Sequence, residues 1–329
     1  MGRKLDILVP HYKEGDAVVK VLLDSIQVQQ GIDFADIGVI ICNDGSDVLL
    51  TNFIRSYSFP IEYYVCEHRG VSATRNALLD YSNAEYVMYC DADDCFIDGL
   101  GLFKVLGELE AEHPDSVFSA FYEEVRNPET GKPIFVSHEM DSTFVHGKIH
   151  RRQFLIDNDI RWDESLTVHE DSYFNIQCQR LAKSLRYCDA PFYLWRYRES
   201  SVCRHDSDFV LRTYSKLLNS MTKLLDKLLE RGRRDVASEY ATATFFDAYF
   251  TLNCEKWIDA INQEYREEVE RRFAQFYRDY ESLEKETDEG LRLGIAKNIR
   301  NRFYDQGLLS ESITYDDWIK HIKDTYGGT

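Results

Sequence analysis

Four short runs in the first hundred residues are apolar at most positions: LDILVP (5–10), IGVIICN (37–43), IEYYVCE (61–67) and AEYVMYCD (84–91). Their length and their β-branched and aromatic content predict strands, and the lack of polar alternation predicts burial on both faces. Between them, GDAVVKVLLDSIQVQ (15–29), VLLTNFIRSY (48–57) and VSATRNALLDYS (71–82) read as helices. Strands alternating with helices predict an α/β fold, a mostly parallel sheet flanked by helices. Ligands of such sheets bind beyond the carboxyl ends of the strands. The polar residues that follow each strand therefore converge: Pro10-His11-Tyr12, Asn43-Asp44-Gly45-Ser46, Glu67-His68-Arg69 and Asp91-Ala92-Asp93-Asp94.

A further helix is predicted over 102–112, then mixed strand and loop from Val117 to about Asn158 with the turn NPETGKP at 127–133, then helix over 171–183. From Phe209 the pattern changes. Apolar positions 210, 214, 217, 218, 221, 224, 225 and 228 keep helical spacing up to Gly232, a C-cap signal, and the remainder reads as helices rich in Glu, Arg, Tyr and Phe. The boundary falls near 205, giving a first domain over 1–205 and a C-terminal helical region over 206–329. No internal repeat and no low-complexity linker interrupts either part.

With 44% hydrophobic residues in 329, the chain has ample material for a core. Its 57 acidic against 39 basic residues give a net charge of −18, which repels a phosphate backbone, so no nucleic-acid partner is expected. The eight cysteines form no CxxC pair and no clustered Cys/His zinc spacing, and read as reduced residues of a cytoplasmic protein. The apolar run in MGRKLDILVPHY is too short for a signal peptide, and no run approaches the length of a transmembrane segment. Peripheral docking on a membrane or polymer stays open.

Candidate chemistry centres on YVMYCDADDCF (86–96), a strand ending in three acids. In extended backbone, side chains at i and i+2 point the same way, so Asp91 and Asp93 would face one ligand. Two like charges that close call for a cation. A hard divalent ion, Mn²⁺ or Mg²⁺, held by carboxylates and substrate phosphates meets that need. The alternatives are a solvated acidic turn, or Asp94 capping the helix after Gly99.

Taken in order, VPHYKEGD (9–16), ICNDGS (41–46), GVSATRNALLD (70–80), VMYCDADD (87–94), HGKIHRRQFL (146–155) and HEDSYF (169–174) resemble the family 2 glycosyltransferases, which have the Rossmann-like GT-A fold. The resemblance covers roughly residues 5 to 205. It implies transfer of a sugar, with inversion at the anomeric carbon, from a nucleoside diphosphate sugar, with UDP the favoured nucleotide. The acceptor would be a hydroxyl of a glycan, polymer or lipid-linked sugar. The nucleotide half would span about 1–115 and the acceptor half about 116–205.

By this resemblance Pro10 and Tyr12 line the base pocket, Asp44 contacts the nucleobase and Arg75 lies near the nucleotide. The family's DDGS is Asn43-Asp44-Gly45-Ser46 here, so an amide replaces the first acid; Asn43 keeps hydrogen-bonding capacity but loses charge. Asp91 would reach the ribose or the metal, and Asp93 would be the main metal ligand, bridging to the diphosphate. Glu170-Asp171 matches an acidic pair that opens a helix, with Asp171 the expected general base and Glu170 orienting it or binding acceptor. An acidic pair there also favours a helix N-terminus on its own. Lys148 matches a position near the acceptor or diphosphate. In PFYLWRYRESSVCRH (191–205), His205 is the candidate further metal ligand, Arg204 or His205 would touch the diphosphate, and Trp195 would stack on a sugar or fill the core.

Other classes fit less well. A nucleotidyltransferase would carry a glycine-rich loop where PHYKEGD stands, no GxxxxGK[ST] occurs, and a glycoside hydrolase leaves the nucleotide-type half unexplained. A non-catalytic sugar- or nucleotide-binding scaffold of the same fold is the remaining alternative, against which Asp91, Asp93 and Asp171 argue. The C-terminal aromatics read as core, or as a homo-oligomer surface.

Overall fold

Strand β1 (Leu5–His11) shows how the sheet is built. Leu5, Ile7 and Val9 enter one buried cluster and Leu8 another, as alternation on a pleated strand requires. Both faces are covered, which is why the run is apolar throughout. Asp6, fully buried in the same strand, is neutralised by Arg3 at 2.6 Å and accepts from the Ser82 hydroxyl at 2.7 Å.

The computed structural model describes residues 2–199, 208–309 and 312–327. The chain divides into two units, Met1–Ser201 and Val202–Thr329. In the first, α1 (Asp16–Gln27) packs Val19, Leu22, Leu23 and Ile26 into the first cluster. Strands β2 (Ile37–Asp44) and β3 (Ile61–Cys66) follow, then α2 (Val71–Tyr81), whose Leu78 and Leu79 enter the second cluster. Next come β4 (Tyr86–Tyr89), the short β5 (Cys95–Phe96) and α3 (Gly101–Glu112). The latter part holds β6 (Ser116–Arg126), β7 (Pro133–His138), β8 (Lys148–Arg151), α4 (Arg152–Asp157), α5 (Glu170–Leu181) and β9 (Leu185–Trp195).

The strand order is β3-β2-β1-β4-β8-β6-β9-β5, with β7 on β6. The first four strands are parallel, with α1 crossing from β1 to β2 and α2 from β3 to β4. Beyond β4 the sheet is mixed: β8 runs antiparallel to β4 and β6, β7 to β6 and β5 to β9, while β9 is parallel to β6. The parallel arrangement read from the sequence is thus that of the β3-β2-β1-β4 half.

One expected helix is absent. Residues 48–57 contain only a 3₁₀ turn at Asn52–Ser56. The preceding backbone is tied elsewhere: the Val48 carbonyl accepts from Asn43, Leu50 N–H donates to the Tyr63 hydroxyl, and Thr51 N–H donates to Asp16. Those bonds replace the ones a helix would make.

The second unit is helical where described: α6 (Phe209–Arg212), α7 (Tyr214–Glu230), α8 (Arg234–Asn253), α9 (Glu255–Ala260), α10 (Gln263–Glu286), α11 (Glu289–Asp305) and α12 (Tyr315–Tyr326). Helix α7 ends as its sequence predicts. Gly232 has φ +69°, and the N–H groups of Gly232 and Arg233 donate to the carbonyls of Leu229 and Leu228. Its apolar stripe, Leu218, Leu224, Leu225 and Leu228, is fully buried, and Phe245 of α8 meets Phe273 and Phe276 of α10 edge-on. Among the described residues no helix is long and apolar enough to cross a membrane.

Candidate active site

The carboxyl ends of β1, β2 and β3 form one side of the site. Tyr12 is exposed and its ring stacks on His68, with centroids 4.9 Å apart. Asp44 holds His68 from beneath, its Oδ2 lying 2.9 Å from the ring Nδ1. The same carboxylate accepts the N–H groups of Arg69 at 2.8 Å and Gly70 at 3.0 Å, so it fixes the entry into α2. Close approach of the two loops depends on Gly45. Its φ is +69°, and a Cβ there would sit 2.5 Å from the backbone nitrogen of His68.

Asn43 is fully buried. Its amide donates to the carbonyls of Ser46 and Val48 and to the Tyr63 hydroxyl, and its oxygen accepts from Ser46 N–H at 2.8 Å. A carboxylate has no hydrogen to offer those carbonyls, which gives the amide a physical reason at this position. Pro10 lies on β1 in register with Cys42 of β2.

The three acids after β4 do not follow the extended geometry expected of them. Asp94 N–H donates to the Asp91 carbonyl at 3.2 Å, closing a turn that groups the Asp91 and Asp94 carboxylates and leaves Asp93 outside their cluster. Asp91 meets Arg75 at 3.2 Å and Asp93 meets Arg198 at 2.7 Å. Asp94 is buried, accepting from the Tyr193 hydroxyl at 2.5 Å and from Arg196 N–H at 2.9 Å. Burial, with Asp91 and Asp93 adding their charge, lifts the Asp94 carboxyl well above the usual range. Ligand atoms of Asp91, Asp94 and His146 all lie within 4.8 Å of one another, a cluster that does not include Asp93. The two carboxylates are donors that suit Mn²⁺ or Mg²⁺, while the imidazole adds a nitrogen ligand of the kind other transition ions prefer. Arg204 and His205 fall outside the described residues.

Helix α5 brings up the acidic pair. Arg75 of α2, almost wholly buried, reaches Asp171 at 2.7 Å, Glu170 at 3.4 Å and Asp91 at 3.2 Å, and its guanidinium lies 4.3 Å from the Trp162 ring centroid. Burial works against the charge of Arg75, but the pull of Asp171, Asp91 and Glu170 overrides it and raises the pKa. Asp171 keeps 21% of its side chain exposed. Burial pushes its carboxyl up, Arg75 opposes, Glu170 and Asp91 add to the rise, and the result is about 7. A carboxylate tuned there exchanges protons at neutral pH, the property a general base needs.

Lys148 lies within electrostatic reach of Asp171. Its side chain is fully buried on β8, against the rings of Phe118 and Phe121, with Nζ 3.5 Å from Asp141. Burial lowers its pKa. Trp195 is half-buried in an aromatic cluster, its ring 5.0 Å from that of His146 and 4.9 Å from that of Phe144. Arg198, His146 and Tyr193 stood in the quoted segments without a role. The signal that would single them out is the turn at 91–94, and no residue spacing shows it.

The sequence and the fold are matched in part by known proteins. The sequence model described as "Glycosyl transferase family 2" matches residues 6–164. Glycosyltransferase GlyA of Streptococcus pneumoniae is 25% identical over 61% of this chain and 32% of its own length. Cholesterol galactosyltransferase of Borreliella burgdorferi is 27% identical over 64% of each chain. For EpsJ of Bacillus subtilis, an uncharacterized glycosyltransferase, the figures are 22%, 60% and 62%. The chain thus spans about a third of GlyA and under two thirds of the other two. Crystal structures of S. aureus TarS 1-349 share the fold, with a TM-score of 0.66 at 18% identity over 93% of this chain and 92% of that one for the complex with UDP-GlcNAc. The complex with UDP gives 0.64 at 18%, covering 92% of each chain. Residues 6–164 thus match glycosyltransferase family 2, and the fold is the GT-A-like one of the TarS structures.

Proposed function

We propose that the chain is a metal-dependent, inverting glycosyltransferase that moves a hexose from a UDP-sugar to a hydroxyl of a glycan, polymer or lipid-linked acceptor. The observation that carries this reading is the Arg75 bridge, which ties Asp171 to Asp91 in one charged set. UDP and UDP-GlcNAc in the TarS structures support the choice of donor.

In this reading Tyr12, stacked on His68, offers a ring face to the base, and Asp44 keeps that pair in place. Asp171 takes the proton of the acceptor hydroxyl as its oxygen attacks the anomeric carbon in line, while Glu170 and Arg75 hold its carboxylate in position. Asp91 with Asp93, or Asp91 with Asp94 and His146, would hold a Mn²⁺ or Mg²⁺ ion, which supplies positive charge against the leaving diphosphate. Arg198, across Asp93, adds a second cation on the same side. Peripheral location at a membrane and association through the C-terminal helices complete the reading; a single-chain mass by light scattering at high concentration would remove the latter.

The test is release of nucleoside diphosphate from UDP-, GDP- and dTDP-sugars with Mn²⁺ or Mg²⁺, with and without EDTA. Slow hydrolysis of one donor, abolished by EDTA and by Asp171→Asn, is expected. No turnover and no nucleotide binding under any condition would replace this reading with that of a non-catalytic scaffold.

A further inference from the structure

The ends of β2 and β3 carry two thiols that glycosyl transfer does not use. Cys42 is fully buried and Cys66 is half-buried. Asp44 pairs with Cys66 across the parallel strands, and Cys42, two residues earlier, shares its face. The two Sγ atoms lie 2.8 Å apart. A disulfide of about 2.05 Å needs roughly 0.8 Å of further approach.

Access exists as well. Ala73, Thr74 and Ala77 of α2 are small, and with Tyr81 they line an open cleft of about 350 Å³ whose wall includes both Cys66 and Asp44. The Tyr81 hydroxyl lies 3.5 Å from the Cys66 sulfur at the inner end. A reagent the size of a small disulfide can therefore meet Cys66 first and Cys42 second. Cys90, Cys95, Cys178 and Cys254 are buried.

We propose that Cys42 and Cys66 are a modification site, a dithiol that closes reversibly to a disulfide when a low-molecular-weight disulfide enters the α2 cleft. The Cys66 thiolate attacks one sulfur of that reagent, expelling one thiolate, which takes up a proton. Cys42 then gives up its proton and attacks the Cys66 sulfur, expelling the second half as a thiol. Two protons and two electrons pass from the pair to the reagent, which leaves as two thiols. The crosslink joins β2 to β3 beside Asp44, on which the Tyr12–His68 stack rests, and it does not depend on the transferase reading.

The experiment treats the folded full-length chain with oxidised glutathione, traps remaining thiols by alkylation, and maps peptides by mass. A Cys42–Cys66 peptide lighter by two hydrogens, restored to two alkylated cysteines by dithiothreitol, is expected. Both Cys66→Ser and Cys42→Ser should abolish it, the second leaving Cys66 as a stable glutathione adduct. Wild-type protein in which Cys66 stops at that adduct, or in which both thiols are alkylated after the treatment, overturns the proposal. The wild-type map decides the matter even if a variant fails to fold.

Discussion

At the scale of single residues, the site turns on how one guanidinium divides itself among three carboxylates. Arg75 meets Asp91, Glu170 and Asp171, all from other elements. Removing a buried partner of this kind leaves like charges facing each other, and Arg75→Met should lower stability by about 3 kcal/mol in urea unfolding. It should also move a proton. Arg75 opposes the rise of the Asp171 pKa, so without it the carboxyl should titrate higher still than its value of about 7. The base must be unprotonated to act, so activity of the wild type should climb with pH through a limb centred near 7, and Arg75→Lys should keep the limb nearer that position than Arg75→Met. Asp171→Asn should abolish the limb and cut kcat by roughly 10²–10⁴-fold, with donor affinity by calorimetry changed only a few-fold. A flat pH profile in the wild type, or full activity in Asp171→Asn, would assign the base elsewhere.

At the scale of elements, the loops after β2 and β4 show what a residue pattern reveals and what it hides. Apolar runs marked β1, β2 and β4 because burial on both faces leaves no room for polar alternation, while the edge strand β3 is only partly buried; the acids that followed these strands lay where parallel strands place ligands. Which acid meets which cation depends on a single backbone bond, Asp94 N–H to the Asp91 carbonyl, and that bond has no signature in DADD. The failed helix at 48–57 has a similar cause, since Asn43, Tyr63 and Asp16 draw off its backbone groups from three other segments. Lys148, which the resemblance places near the acceptor or diphosphate, has a fully buried side chain, and no residue spacing shows that burial. The loop after β2 supports its own prediction. Asn43→Asp, which restores the family's acid, would turn donors into acceptors against the Ser46 and Val48 carbonyls. The expected cost is about 2 kcal/mol by thermal or urea unfolding, and Asn43→Asp as stable as wild type would remove the structural role assigned to the amide.

At the scale of the whole molecule, the question is whether the first unit is a folding unit in its own right. Both core clusters of the sheet draw every member from residues between Leu5 and Trp195. Every described site residue, from Pro10 to Arg198, also falls inside Met1–Ser201. A chain of this length is within the ordinary size of a single domain. The sheet carries apolar residues on both faces, and α1 and α3 cover one of them while α2 and α5 cover the other, all from the same unit. A fragment of residues 1–201 should therefore unfold cooperatively, keep its near-ultraviolet circular dichroism, and bind UDP within about threefold of the full chain, a difference of roughly 0.6 kcal/mol. Binding is the more telling readout, because Tyr12, His68 and Asp44 are held by loops that only this unit supplies. A fragment that binds dye as a molten state, or that folds but loses UDP entirely, would show that the helices after 201 complete the site.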